Sequence, residues 1–146
     1  MIICLETSTL LCSVALCDVN GVVALRESSE NKSHASRLTV FIGELLTEAG
    51  LRVSDLNAVA VSKGPGSYTG LRIGVSTAKG MAYAGSIPLI GIETTLSMFH
   101  GIDETVKRKY GIDKNSLFVP MLDARRMEVY YSILTSEGKP AKEISA

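Results

Sequence analysis

The chain has 146 residues, of which 46% are hydrophobic and 21% are charged. These values are typical of one folded globular domain and exclude a disordered chain, which would carry more charge and less apolar mass. Fifteen basic and fifteen acidic residues give a formal net charge of +0, which argues against a protein that grips nucleic acid by itself.

The sequence predicts a cytoplasmic protein that does not associate with membranes. No apolar run approaches the roughly 18 residues of a transmembrane helix, and the N-terminus begins as a strand without the regions of a signal peptide. Cys4, Cys12 and Cys17 follow neither a disulfide framework nor a metal-binding spacing. We therefore expect reduced thiols.

Three antiparallel strands are predicted near the N-terminus, at residues 2–6, 12–18 and 22–26, with the third extending to Ser28. The dipeptide Asn20-Gly21 predicts a type I′ hairpin turn, which needs positive φ at both central positions.

A helix is predicted from Ser33 to Gly50, because apolar residues recur there at i, i+3, i+4, i+7, i+8 and i+11. Ser33 or Ser36 can cap its start, and Gly50 suits its end. The apolar stripe consists of Leu38, Phe41, Ile42, Leu45, Leu46 and Ala49.

Strands and helices then alternate until the chain ends in a strand pair. Thr94 or Thr95 is expected to cap the third helix, and residues 123–126 are expected to connect the last two strands. The segment after Gly138 shows no periodic signal, so 139–146 is expected to be a frayed tail or a truncated linker following a domain of residues 1–138. The predicted elements are strand 57–62, helix 69–84, strand 88–92, a helix opening at 93–95, and strands 117–122 and 128–134.

The stretch from Gly64 to Gly74 reads Gly-Pro-Gly-Ser-Tyr-Thr-Gly-Leu-Arg-Ile-Gly and joins a strand to a helix. Such a glycine-rich junction can present backbone N–H groups to an anion or to a partner's loop. The order of a phosphate loop is absent, however, because no lysine follows Gly70 and Lys63 precedes the glycines. The residues alone favour a tight structural turn with a helix capped by Ser67 or Thr69.

This stretch, together with the N-terminal Ile-Ile-Cys-Leu-Glu-Thr-Ser-Thr of residues 2–9, resembles the TsaB or YeaZ-like family of tRNA threonylcarbamoyladenosine biosynthesis proteins. That family is grouped with the glycoproteases (peptidase M22-like proteins). The resemblance runs from Met1 to about Tyr131 and covers an N-terminal lobe. It implies an α/β fold: an actin-like ATPase (ribonuclease H-like) lobe whose mixed β-sheet has three leading antiparallel strands and flanking helices. The predicted order βββαβαβαββ fits this fold.

In actin-like ATPases the turn after the first strand cradles the phosphates of a nucleotide. By resemblance, Glu6, Thr7, Ser8 and Thr9 are the nucleotide-binding candidates, with Glu6 as the acidic residue near the metal. A single lobe would leave most of a nucleotide exposed, whereas ligand sites normally bury most of the ligand. We therefore expect no cofactor for this chain alone, and the resemblance admits ATP only in an assembled complex.

No catalytic or metal-binding residue is predicted. His34 has no second histidine three or four residues further on, and His100 is far away in sequence, so a zinc site lacks ligands. Ser67 lacks the Gly-x-Ser-x-Gly spacing of a nucleophile elbow.

The second helix carries a small-residue face, because Gly70, Gly74, Ala78 and Ala82 recur every four residues. Glycine inside a helix is unfavourable by about 0.5–1 kcal/mol relative to alanine, so a close contact should compensate for it. Two alternatives stay open: packing within the lobe, or contact with a partner. The resemblance favours the partner and gives as candidate partner-binding residues Gly70, Ile73, Gly74, Thr77, Ala78 and Met81.

The resemblance implies a non-catalytic scaffold subunit that docks on a catalytic TsaD-type subunit and helps to recruit a TsaE-type ATPase. Without a partner it would form a homodimer. Contact with tRNA is expected to be indirect, and the basic residues 107–109 are more simply read as a solvated helix face than as a nucleic-acid patch. The alternatives are an actin-like nucleotide-binding enzyme and a glycoprotease-type metallopeptidase.

Overall fold

The computed structural model describes residues 1–29 and 34–145, with the side chains of these ranges except 34–35 and 142–145. This part of the chain forms eight strands, four α-helices and one short 3-10 helix. In chain order they are β1 Ile2–Glu6, β2 Cys12–Asp18, β3 Gly21–Ser28, α1 His34–Glu48, η1 Val53–Asp55, β4 Ala58–Gly64, α2 Tyr68–Gly85, β5 Leu89–Glu93, α3 Thr94–His100, α4 Glu104–Lys109, β6 Met121–Arg125, β7 Glu128–Leu134 and β8 Pro140–Ser145.

The chain divides into two compact units. The first unit comprises residues 1–63 and 67–92, and the second comprises residues 64–66 and 93–146. None of the described helices is long and apolar enough to cross a lipid bilayer.

A five-stranded mixed sheet with the order β3-β2-β1-β4-β5 organises the first unit. Strand β1 is central, because it pairs antiparallel with β2 and parallel with β4. The crossover from β1 to β4 contains α1, as a parallel pair requires a long connection. The predicted fold class, an α/β lobe with three leading antiparallel strands, is confirmed.

The core of the first unit lies between this sheet and the apolar stripe of α1. Ile3, Val14 and Val59 are completely buried in β1, β2 and β4, and Leu38 and Leu45 of α1 are completely buried beside them.

Helix α1 ends as predicted at a glycine in the left-handed conformation, Gly50 with φ +64°. Ala49, which was predicted to extend the stripe, lies beyond the helix end and is exposed. Ser33, one of the two predicted caps, lies outside the described residues.

The hairpin between β2 and β3 is confirmed, but its turn is not of type I′. Gly21 has φ +126°, whereas Asn20 is not among the residues with positive φ. Asp18 pairs with Gly21, so the turn consists of Val19 and Asn20. The register shifts between Leu16 and Cys17, which accommodates the different loop.

The second unit contains α3, α4 and a three-stranded antiparallel sheet with the order β6-β7-β8. Its small core joins Phe99, Phe118 and Leu134, and the rings of Phe99 and Phe118 meet edge to face at 4.9 Å. Helix α3 has Glu93 at its N-cap without a side-chain cap bond, so the prediction of a Thr94 or Thr95 cap is wrong. Both threonines are buried inside the helix.

Three predictions for this unit need correction: one strand, one connection and the tail. The predicted strand 117–122 begins only at Met121, because Pro120 has no N–H to donate to a ladder, and Phe118 is left as an isolated bridge to Leu134. The predicted connection 123–126 is mostly strand, since β6 continues to Arg125. The predicted frayed tail is also wrong, because Pro140–Ser145 forms β8 against β7. The linker interpretation of residues 139–146 stays a prediction.

Candidate functional site

The turn after β1 is held by the carboxylate of Glu6. One oxygen, Oε1, accepts the backbone N–H of Ser8 at 2.6 Å, and Oε2 accepts the hydroxyl of Ser62 at the end of β4. The carbonyl of Ser8 accepts the backbone N–H of Ser67 at 2.6 Å. These contacts bring the first turn of the sheet to the start of α2.

Thr7 lies completely buried beneath the first two turns of α2. Its hydroxyl donates to the carbonyl oxygen of Gly70 at 2.8 Å. A Cβ atom at Gly70 would lie 2.0 Å from the backbone oxygen of Thr7, and a Cβ at Gly74 would lie 2.2 Å from its Oγ1. Only glycine therefore allows the helix to approach the turn after β1 this closely. Ser67 caps α2, as predicted, by accepting the N–H of Gly70 at 3.3 Å.

The small-residue face of α2 therefore faces its own lobe. Gly70, Gly74, Ala78 and Ala82 are the buried residues of the helix. Of the two alternatives that the sequence left open, internal packing is correct for these positions. The assignment of Gly70, Gly74 and Ala78 to direct partner contact stays a prediction, and the burial of all three residues in the lobe weighs against it.

Most of the nucleotide-binding candidates have side chains that are hydrogen-bonded or buried within the chain itself. Both oxygens of Glu6 accept internal hydrogen bonds, and the side chains of Thr7 and Ser8 are buried. The Ser8 hydroxyl has no hydrogen-bond partner among the described residues. The side chains of Glu6 and Thr7 are thus engaged within the fold, whereas the Ser8 hydroxyl is not. A nucleotide contact at residues 6–9 stays a prediction.

The outward side of α2 carries a shallow depression with a volume of about 510 Å³. Ile73 and Thr77, two of the predicted partner-binding residues, lie in it, and both are half-buried. Ile73 and the half-buried Met81 both pack against the core of the first unit, but Met81 does not line the depression. The residues that line it are Thr69, Arg72, Ile73, Ser76 and Thr77.

Three of these lining residues, Thr69, Arg72 and Ser76, were missed in the sequence. The guanidinium of Arg72 lies 5.4 Å from the ring centre of the exposed Tyr68, which places a cation and an aromatic ring beside the depression. A signal was present, because residues at i, i+3, i+4, i+7 and i+8 share one helix face.

Metal ligands do not converge in the part of the chain that the structure describes, where no group of three or more His, Cys, Asp or Glu side chains could hold an ion. The side chain of His34 lies outside the described residues. Cys4 and Cys17 approach each other on neighbouring strands, with their Sγ atoms 3.9 Å apart. Burial, with the charge and hydrogen bond of Cys17, raises the pKa of Cys4 to about 12.

A family profile described as "TsaD: tRNA N6-adenosine threonylcarbamoyltransferase" matches residues 22–143, which is most of the chain. The chain belongs to this family. The matched range includes the glycine-rich junction, the whole of α2, strands β6 and β7, and the first part of β8.

Within the TsaD family, the chain is similar over most of its length to TsaB proteins. It is 35% identical over 131 residues to the tRNA threonylcarbamoyladenosine biosynthesis protein TsaB of Escherichia coli strain K12, covering 90% of this chain and 53% of that protein. It is 48% identical to the tRNA N6-adenosine threonylcarbamoyltransferase of Ruegeria pomeroyi, but over only 61 residues, or 42% of this chain and 17% of that enzyme.

A solved structure supports the same grouping. YeaZ from Pseudomonas aeruginosa superposes with a TM-score of 0.80 at 28% sequence identity, covering 99% of this chain and 65% of that chain. The predicted resemblance to the TsaB or YeaZ-like group is confirmed. The chain spans about half the length of the curated TsaB relatives that it matches.

Proposed function

We propose that this chain belongs to a non-catalytic scaffold subunit in the synthesis of threonylcarbamoyladenosine in tRNA. The support is similarity to individual TsaB proteins over about 90% of the chain, whereas the individual transferase of Ruegeria pomeroyi matches over 42% of it, although the transferase family profile spans residues 22–143. The internal use of Glu6 and Thr7 fits a lobe in which the residues of an ATPase turn now hold the fold together.

The subunit docks on a TsaD-type catalytic subunit, helps to recruit a TsaE-type ATPase, and forms a homodimer when the catalytic partner is absent. The observation that carries the docking proposal is the depression on the outward side of α2, which offers half-buried Ile73 and Thr77 beside exposed Arg72. Arginine is enriched at protein interfaces, and here Arg72 stands beside Ile73, the one apolar residue among the five that line the depression. The opposite side of α2 packs against Thr7, in the turn that follows β1.

The docking test uses the full-length protein with its TsaD-type and TsaE-type partners. Thr77→Arg places a long charged side chain in the depression, and we expect the affinity for the TsaD-type subunit to fall at least about tenfold. Val23→Arg on the exposed side of β3 is the control, because it adds the same charge outside the depression. Calorimetry measures the affinity, and equal binding by both variants and the unchanged protein would refute docking through α2.

A second measurement tests the scaffold role against the two enzymatic alternatives. A nucleotide-binding enzyme would bind ATP as the isolated full-length protein, which calorimetry detects. A metallopeptidase would carry a stoichiometric metal ion, which elemental analysis detects. We expect neither, and we expect tRNA threonylcarbamoylation only when the subunit is combined with its partners.

A further inference from the structure

The tip of the β6–β7 hairpin has an unusual backbone. Arg125, Arg126 and Met127 follow one another with φ values of +68°, +54° and +65°. Residues with a Cβ atom rarely adopt this left-handed conformation, and three in succession are strained. Strain of this kind persists where the surrounding structure imposes it, and it is often found where a side chain must be presented to a ligand.

The tip presents two guanidinium groups to solvent. Arg125 and Arg126 are both exposed, and Met127 is fully exposed beside them. Neither guanidinium forms a hydrogen bond or an ion pair with any residue that the structure describes. Arg26 and Arg52 of the first unit behave differently, since both form ion pairs with neighbouring carboxylates.

The neighbouring carboxylates of Asp123 and Glu128 do not form ion pairs with the two guanidinium groups. Oδ1 of Asp123 accepts the backbone N–H of Arg125 at 2.7 Å, so this carboxylate holds the turn. Glu128 stands opposite Arg125 in the strand register, but no ion pair joins them. The two arginines therefore remain available to an anion outside the chain.

We propose that this tip, Arg125–Arg126–Met127, contacts the phosphate backbone of the tRNA in the assembled complex. This inference rests on the proposed function, because a role in tRNA modification is the reason to consider tRNA as the partner. Arginine matches phosphate through two parallel hydrogen bonds, and such contacts act at exposed positions without a large buried area.

An RNA partner fits the tip better than a protein partner does. A stable protein interface buries about 800 Å² on each partner, whereas this apex offers only three consecutive residues. The net charge of +0 is compatible with this contact, because a local contact within a complex does not require the chain to bind RNA alone. The contact is direct, unlike the indirect one expected from the sequence.

The test measures tRNA binding by the complex of the full-length protein with its TsaD-type and TsaE-type partners. Arg125→Gln combined with Arg126→Gln removes both charges and keeps the side-chain length. We expect affinity to fall on the order of tenfold near 0.1 M salt and the slope of log K against log salt to become shallower by about 1.4 to 1.8. Arg125→Lys with Arg126→Lys should retain the slope and lose part of the affinity, because lysine keeps the charge without the planar fork.

The control is Arg108→Gln combined with Lys114→Gln, which removes two exposed cations elsewhere in the same unit. An equal loss of tRNA affinity in this control would overturn the proposal, because the effect would then be one of general charge. Weaker assembly with the protein partners at unchanged tRNA affinity would also overturn it, in favour of a protein contact.

The two proposals fail in distinguishable ways. If the unchanged complex modifies tRNA but the double glutamine variant binds tRNA with unchanged affinity and salt slope, only the hairpin proposal is wrong. If the unchanged protein neither joins the complex nor supports modification, the proposed function is wrong and the hairpin proposal falls with it. A thermal melt checks that the exposed substitutions leave the fold intact.

Discussion

Single atoms decide how α2 fits against the sheet. The hydroxyl of Thr7 reaches the carbonyl of Gly70, and the missing Cβ atoms of Gly70 and Gly74 provide the space for this contact. The helix tolerates these glycines because the close approach compensates for their low helix propensity. This contact connects the N-terminal turn to the glycine-rich junction, the two segments that carry the family resemblance.

The first prediction concerns these glycines. Gly70→Ala would place a Cβ 2.0 Å from a backbone oxygen, which cannot move away by changing rotamer, so we expect the free energy of unfolding to fall by at least about 2 kcal/mol. Gly80→Ala in the same helix is the control, because nothing lies within 4 Å of its Cβ position. It should raise stability by about 0.5–1 kcal/mol. Urea denaturation measures both, and a stable Gly70→Ala variant would contradict the packing described.

The second prediction concerns the thiol of Cys4, whose pKa is raised from 9.0 to about 12 mainly because the group is buried. Above pH 9 the unfolded chain loses this proton before the folded chain does, so the folded state binds more protons. The stability contribution is therefore complete below pH 9 and is lost as the pH rises towards 12.

Denaturant unfolding at pH 8 and pH 10 measures this loss. Cys4→Ala should show a smaller decrease between the two pH values than the unchanged protein does. Because the pKa of Cys12 is also raised by burial, Cys12→Ala is the comparison, and it should remove only the Cys12 part of the decrease. An identical decrease in the Cys4 variant and in the unchanged protein would show that Cys4 does not titrate differently on folding.

At the scale of elements, the sequence predicted structure well where burial is periodic. Helix α1 has an apolar stripe from Leu38 to Leu46, and β4 contains a continuous apolar run. Each pattern lies within the segment that forms the element, so that segment alone is enough to predict it. Strand β8 has no such pattern, because its place depends on the free edge of β7. The start of β6 depends on the missing N–H of Pro120, a local effect that hydrophobicity does not report.

The candidate site was predictable to a similar extent. The regular spacing of Gly70, Gly74 and Ala78 correctly indicated a close contact on α2, but spacing alone could not decide which surface makes it. The decision comes from Thr7, which lies 63 residues away from Gly70 in the chain. Likewise, the free guanidiniums at the β6–β7 tip are visible only once the register and the turn conformation are known.

The third prediction concerns α1. Leu45→Ala removes a completely buried side chain and should lower the free energy of unfolding by about 2–5 kcal/mol, because the surrounding sheet cannot close the cavity fully. Val40→Ala on the exposed side of the same helix should change it by less than about 0.5 kcal/mol. Equal effects in urea denaturation would mean that α1 does not pack through the predicted stripe.

At the scale of the whole molecule, the two units have cores of very different extent. The first unit buries side chains from three strands and two helices, whereas the buried core of the second unit is Phe99, Phe118 and Leu134. Hydrophobic stabilisation is roughly proportional to the apolar area buried, so the second unit should open more easily than the first.

The last prediction follows from this difference and is checked by native-state hydrogen exchange. Amides in β6 and β7 should exchange faster than those in β1 and β4. Leu134→Ala should speed exchange in the second unit alone, because that side chain fills only its core, and Leu45→Ala should speed exchange in the first unit alone. If either substitution accelerated exchange equally in both units, the chain would unfold as one cooperative body and the division into two units would have no thermodynamic meaning.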